Sequence, residues 1–164
     1  MHANLHQTES KRSGLWDAAA GGIFPGLLGG IAMALLLVAA SSLSGRTPSQ
    51  VLGGFDPANS LPLRGALMHL AVSCVYGVLF GILVRLVPSR LRLALGSPLL
   101  GVFYGLLLWL VAVSVLHQAA AALLAASAPA VFLLAHLLYG LILGLVAGQW
   151  LAVPESVYVE RGKV

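Results

Sequence analysis

Few side chains in the apolar part of this chain can do chemistry, and most of them come at helical spacing. His69, Ser73, Gly77 and Gly81 are four residues apart, as are His136, Gly140, Gly144 and Gly148, and each row has a tyrosine (Tyr76, Tyr139) just before a glycine. Residues four apart share one side of a helix, so each histidine leads a row of small residues. His69 and His136 are the speculative cofactor ligands: two imidazoles on facing helices can hold a haem, and His117 could complete a metal site. Against this, no His-x-x-x-His or His-x-x-Glu pair occurs within an apolar segment. Aligning the rows on Tyr-Gly places His136 opposite Ser73, one turn from His69. Hydrogen bonding between helices is therefore the leading role for both histidines.

Ser73, Tyr76 and Tyr139 are candidates to line a polar cavity, although a ring filling the notch beside a glycine is the plainer role for Tyr76, Tyr104 and Tyr139. Cys74 has no basic neighbour to stabilise a thiolate and reads as a packing residue. Asp56 is the one acidic residue between Asp17 and Glu155. It suits an Asp-Pro turn, within reach of the mouth of a bundle. Phosphate-binding, nucleophile-elbow and Cys-x-x-Cys motifs are missing, and no carboxylate lies in an apolar segment. No catalytic residue is assigned, no cofactor is expected, and the chain reads as a non-enzyme.

The elements that position these residues follow from composition. The chain has 164 residues, 59% hydrophobic and 9% charged, against about 25% charged in soluble domains. Between Arg92 and Glu155 there is no Asp, Glu, Lys or Arg. The expected fold class is all-α, a polytopic membrane protein with four transmembrane helices. The helices are placed at about 18–43, 65–87, 95–117 and 129–153. A polar arm covers 1–17, disordered or interfacial, and a tail covers 155–164. The loop 44–64 is rich in turn residues; Val51, Leu52 and Phe55 suit either a piece packed on the end of the bundle or a solvated cluster. A signal peptide cut after Val38-Ala39-Ala40 is the lesser reading of the first segment, which exceeds the ~7–15 apolar residues of such a leader. Pro25 is expected near that helix's start, where a missing N–H costs least.

The net charge of +4 has no aromatic-interleaved basic patch behind it, so nucleic acid is not an expected partner. Lys11, Arg12, Arg85, Arg90, Arg92, Arg161 and Lys163 lie on one side of the spans, and only Arg46 and Arg64 on the other. That bias puts both termini in the cytoplasm and the 44–64 loop outside.

Gly22, Gly26 and Gly30 on the first helix, Gly77 and Gly81 on the second, Gly101 and Gly105 on the third, and Gly140, Gly144 and Gly148 on the fourth are the expected packing residues. Gly26 and Gly30 match Gly101 and Gly105, and Tyr76-Gly77 with Gly81 matches Tyr139-Gly140 with Gly144. The fold is thus expected as two helical hairpins, a parallel repeat.

The run Ala135-His136-Leu137-Leu138-Tyr139-Gly140, followed by Gly144, resembles a loose group of uncharacterised bacterial four-helix inner-membrane proteins. Gly26 to Ala34 and Leu67 to Gly81 fit the same outline. The resemblance implies an inner-membrane location and no settled activity. Small-residue rows on all four helices point to a protein that associates with itself or serves as an accessory subunit of a membrane complex. A small-solute transporter or channel formed by an oligomer is the alternative, and a His-based haem- or metal-binding redox protein the third.

Overall fold

A computed structural model describes the backbone of residues 2–56, 58, 61–114 and 128–151, and there is no strand among these residues. Five helices are seen: α1 His2–Ser42, α2 Pro48–Gly53, α3 Pro62–Leu86, α4 Ser89–Ser114 and α5 Pro129–Leu151. Four contain stretches long and apolar enough to cross a membrane: Trp16–Ser42, Pro62–Leu86, Ser89–Ser114 and Pro129–Gln149. Large apolar side chains such as Leu35, Leu67, Phe103 and Leu134 point outward from all four. A helix apolar all round belongs in a lipid solvent, where its own backbone bonds satisfy every peptide group.

Several boundaries differ from the sequence expectation. The polar arm 1–17 is helical and not disordered, because α1 is continuous from His2, while the apolar span within α1 starts at Trp16. Pro25 is consequently in the interior of α1, buried, and not near a start. Its ring faces the carbonyl of the residue four back, which is Gly21, a position with open space around it. The loop 44–64 contains α2 and the first turn of α3. Thr47 and Gln50 start α2 with a reciprocal cap: the Thr47 Oγ1 accepts from the Gln50 amide, and the Gln50 Oε1 accepts from the Thr47 amide at 2.9 Å. Val51 is fully buried, so α2 packs on the end of the bundle. In α4 the helix is interrupted at Gly96 (φ 70, ψ 157), a region of backbone space open essentially to glycine alone. The stretch after it, 97–114, has no charged residue and is itself long enough to cross a membrane. His117, most of the 119–128 link and the 155–164 tail lie outside the described residues.

The helices assemble as two tight antiparallel pairs, α1 with α3 and α4 with α5, joined along α1 and α5; α3 and α4 touch little. Each pair is a seam of small residues. On α1, Ala18, Gly22 and Gly26 lie against Gly81, Gly77 and Ser73 of α3; on α4, Ser97, Gly101 and Gly105 lie against Gly144, Gly140 and His136 of α5. A methyl group on Gly26 would sit 2.6 Å from the Ser73 carbonyl oxygen, and one on Gly140 would sit 2.8 Å from the Gly105 amide nitrogen. The obstacles are backbone atoms, which cannot swing aside.

The two seams are equivalent in register, which corrects one detail of the expected repeat. Gly101 and Gly105 correspond to Gly22 and Gly26, one turn earlier than the pairing with Gly26 and Gly30. Three glycines at a four-residue spacing look alike after a one-turn shift, and only the partner helix distinguishes them. The Tyr76-Gly77 and Tyr139-Gly140 match holds in that register. It places Gly29 where α4 has Leu108, and His69 where α5 has Phe132. Gly29 opens a notch on α1 into which the Tyr139 ring fits, 2.9 Å from where a methyl group would stand. Adjacent glycines thus serve two neighbours: Gly30 faces Ser73 of α3, and Gly29 faces Tyr139 of α5.

Candidate functional site

The chemistry-bearing residues converge on the half of the bundle nearer the 43–61 loop. They do so because the seams bring α3 and α5 against α1 at the level of Gly26 to Gly30. His69 donates its Nε2 hydrogen to the Gly30 carbonyl oxygen at 3.0 Å, and its ring stacks on Phe55, with centroids 4.2 Å apart. A carbonyl can only accept, so the bond selects the tautomer with hydrogen on Nε2. His136 donates from Nδ1 to the Phe132 carbonyl one turn back at 2.9 Å and meets the Phe132 ring edge-on. The histidines therefore make different bonds: one joins two helices, the other closes on its own.

Ser73 Oγ donates to the His69 carbonyl at 2.8 Å, within its own helix. The Tyr139 hydroxyl crosses from α5 to the Ser73 carbonyl at 2.7 Å, and the Tyr104 hydroxyl crosses from α4 to the Tyr76 carbonyl at 2.9 Å. Of the three cavity candidates, Ser73 and Tyr139 are buried and joined by this bond, while Tyr76 is half-buried and contributes its backbone. Tyr104 packs against Phe80 with centroids 5.1 Å apart. From the sequence, Tyr104 is a notch filler beside Gly105 or a hydroxyl lining a cavity; its clasp on Tyr76 depends on a contact between α3 and α4 that no spacing announces. Cys74 is a half-buried free thiol. Among the described residues only the Trp109 indole N–H is a buried side-chain polar atom without a partner, and no group of three metal-ligating residues occurs.

A second polar group closes the loop end. The Asp56 side chain is 1% exposed and bonded through both oxygens to Arg64 at 2.8 Å, with Arg64 itself 48% exposed. The Ala58 amide donates to the same carboxylate at 3.1 Å, the Leu61 amide at 3.4 Å. Gly65 lets the pieces meet: a methyl group there would run into the Leu52 carbonyl and the Asp56 amide. Phe55, next to Asp56, is thereby held over His69. The loop and α2 form a cap on the polar interior.

In this cluster the hydroxyls of Ser73, Tyr104 and Tyr139 and the imidazoles of His69 and His136 bond to backbone carbonyls, and among the described residues none of these hydroxyls bonds to an imidazole. Three of these five bonds, from His69, Tyr104 and Tyr139, tie one helix to another. A cross-helix bond in a membrane protein contributes about 0.6 kcal/mol on average and up to about 1.7 kcal/mol. Tyr139→Phe is expected to lower unfolding stability in detergent by about 1 kcal/mol, and Tyr76→Phe to leave it unchanged. Equal losses in the two variants would contradict the assignment of the Tyr139 clasp.

Four apolar spans locked by glycine seams and carbonyl clasps define a polytopic helical membrane protein. Over residues 16–157 the chain matches the model of a family of unknown function, DUF6789, and it belongs to that family. No curated protein and no solved structure matches it.

Proposed function

We propose that this is a small non-catalytic protein of the bacterial inner membrane that works by association, as an accessory subunit of a membrane complex or with copies of itself. Both termini lie on the cytoplasmic side, following the seven-to-two bias of Lys and Arg across the spans. The observation that carries the non-catalytic reading is the use of the interior polar groups. Ser73, Tyr104, Tyr139, His69 and His136 direct their bonds to backbone carbonyls, and those of His69, Tyr104 and Tyr139 cross to a neighbouring helix and hold it in register.

The glycine rows themselves no longer speak for self-association, because they face one another within the chain. Association therefore uses the outward apolar faces, not the seams. A passage for solutes between α1 and α3, or between α4 and α5, has no room where the backbones touch. Gentle purification from native membranes tests the reading. The expected result is a stoichiometric membrane partner or an oligomeric mass in nanodiscs, without a Soret band or bound metal. A monomer with nothing bound would contradict the association, and a Soret band the non-catalytic part.

A further inference from the structure

The stretch between α3 and the spanning part of α4 is built differently from the other connections. Residues 89–95 are helical, but Gly96 breaks the helix with φ 70 and ψ 157 before Ser97 and Pro98 begin the span. The break frees these roughly two turns from the direction of the transmembrane axis. At about 100° per residue, Leu91 and Leu95 share one arc of the short helix, while Arg92, Leu93 and Arg90 cover the opposite one. Leu95 is half-buried, Leu91 is 47% exposed, and Leu93, next to Arg92 and three residues after Arg90, is 84% exposed.

Arg85, at the last turn of α3, adds a third cation to this end. Arg85 and Arg90 are exposed and Arg92 is half-buried. None of the three has an ion pair or side-chain hydrogen bond among the described residues; the ion pair described in the chain is Asp56–Arg64, at the opposite end. Asp17 is exposed at the same end and is not bonded to them. Three guanidinium groups and an exposed leucine at the same limit of the apolar spans match one kind of surface: a fringe of phosphates over acyl chains.

We propose that residues 89–95 are an in-plane membrane anchor that binds the phosphate headgroups of anionic lipids. Leu93 inserts at the acyl boundary, and Arg85, Arg90 and Arg92 hold phosphates around it. The partner is a lipid surface, and the proposal stands whether or not the protein has a protein partner. Basic residues near an anionic leaflet each strengthen the attraction about fivefold.

The test is native mass spectrometry of the full chain in neutral detergent, titrated with phosphatidylglycerol or phosphatidylcholine. The wild-type protein is expected to retain phosphatidylglycerol preferentially, and R90Q/R92Q to lose about fivefold per arginine. Inorganic phosphate in excess should not displace the lipid; displacement would mean a free-anion site and overturn the proposal. Equal retention of both lipids, or an unchanged preference in R90Q/R92Q, would also overturn it. A second reading avoids altering charge. With Leu93→Cys in a Cys74→Ser background, a bimane label in anionic vesicles should be quenched by doxyl-labelled lipid. Quenching by aqueous iodide instead would overturn the placement of Leu93.

Discussion

Gly140→Leu is expected to force α4 and α5 apart and to lower unfolding stability in detergent by about 3 kcal/mol. Any side chain here begins with a Cβ directed at the Gly101 carbonyl and 2.8 Å from the Gly105 amide nitrogen. Overpacking against side chains can relax by rotation, whereas overpacking against backbone has to move a helix. Because the seams are equivalent, Gly77→Leu should show a loss of similar size, with Gly26 Cα 2.7 Å from the added carbon. Gly21→Ala is the control: nothing lies within 4 Å of the added methyl, so the helix should be unaffected or gain up to about 1 kcal/mol. The same series separates an intrachain seam from one between copies. Losses that depend on protein concentration would show that the glycines also face another chain, and an unchanged Gly140→Leu protein would sink the seam assignment.

Asp56→Ala is expected to have the second largest effect, about 2–3 kcal/mol, and to place it at one end of the molecule. The carboxylate accepts from Arg64 and from the Ala58 and Leu61 amides, and hydrogen bonds to charged groups are worth about 1.5–3 kcal/mol each before any re-solvation. Arg64 is half exposed, so its guanidinium regains water when the partner is lost, which keeps the cost below that of breaking a fully buried pair. With the carboxylate gone, α2 loses its tie to the first turn of α3, and Phe55 loses its place over His69. Hydrogen exchange should rise over residues 48–56 while both glycine seams remain protected. A uniform rise along the chain, or none at the loop end, would show that Asp56 does not hold the cap.

The two variants probe features that were not equally visible in advance. The glycine positions were open to reading because an apolar segment with glycines every fourth residue has few other uses. Asp56 was visible as an isolated acid before a proline. Its grip on Arg64, eight residues on, needed the fold that returns α3 beneath α2. Tyr104 was marked only by the glycine that follows it, which says nothing of a partner on α3. Its hydroxyl gains a role because the Tyr76 carbonyl lies 2.9 Å away on α3, and a backbone acceptor leaves no trace in a list of residue types.

His69 and His136 show most clearly where sequence alone stops. Composition determined by itself that the chain crosses a membrane as helices, since an uncharged apolar run of that length belongs in lipid, where a helix satisfies its own backbone groups. Spacing determined which side of each helix is small. The tertiary structure alone decided which small sides meet, and in what register. A four-residue period maps onto itself after one turn, so Gly26 could pair as either Gly101 or Gly105 until the α3 seam selected Gly105. The Tyr-Gly alignment had already set the histidines one turn apart, and the seams keep that register while deciding which carbonyl each one meets. In the register of the two pairs His69 corresponds to Phe132 and His136 to Ser73, so each imidazole has its own carbonyl, Gly30 for His69 and Phe132 for His136.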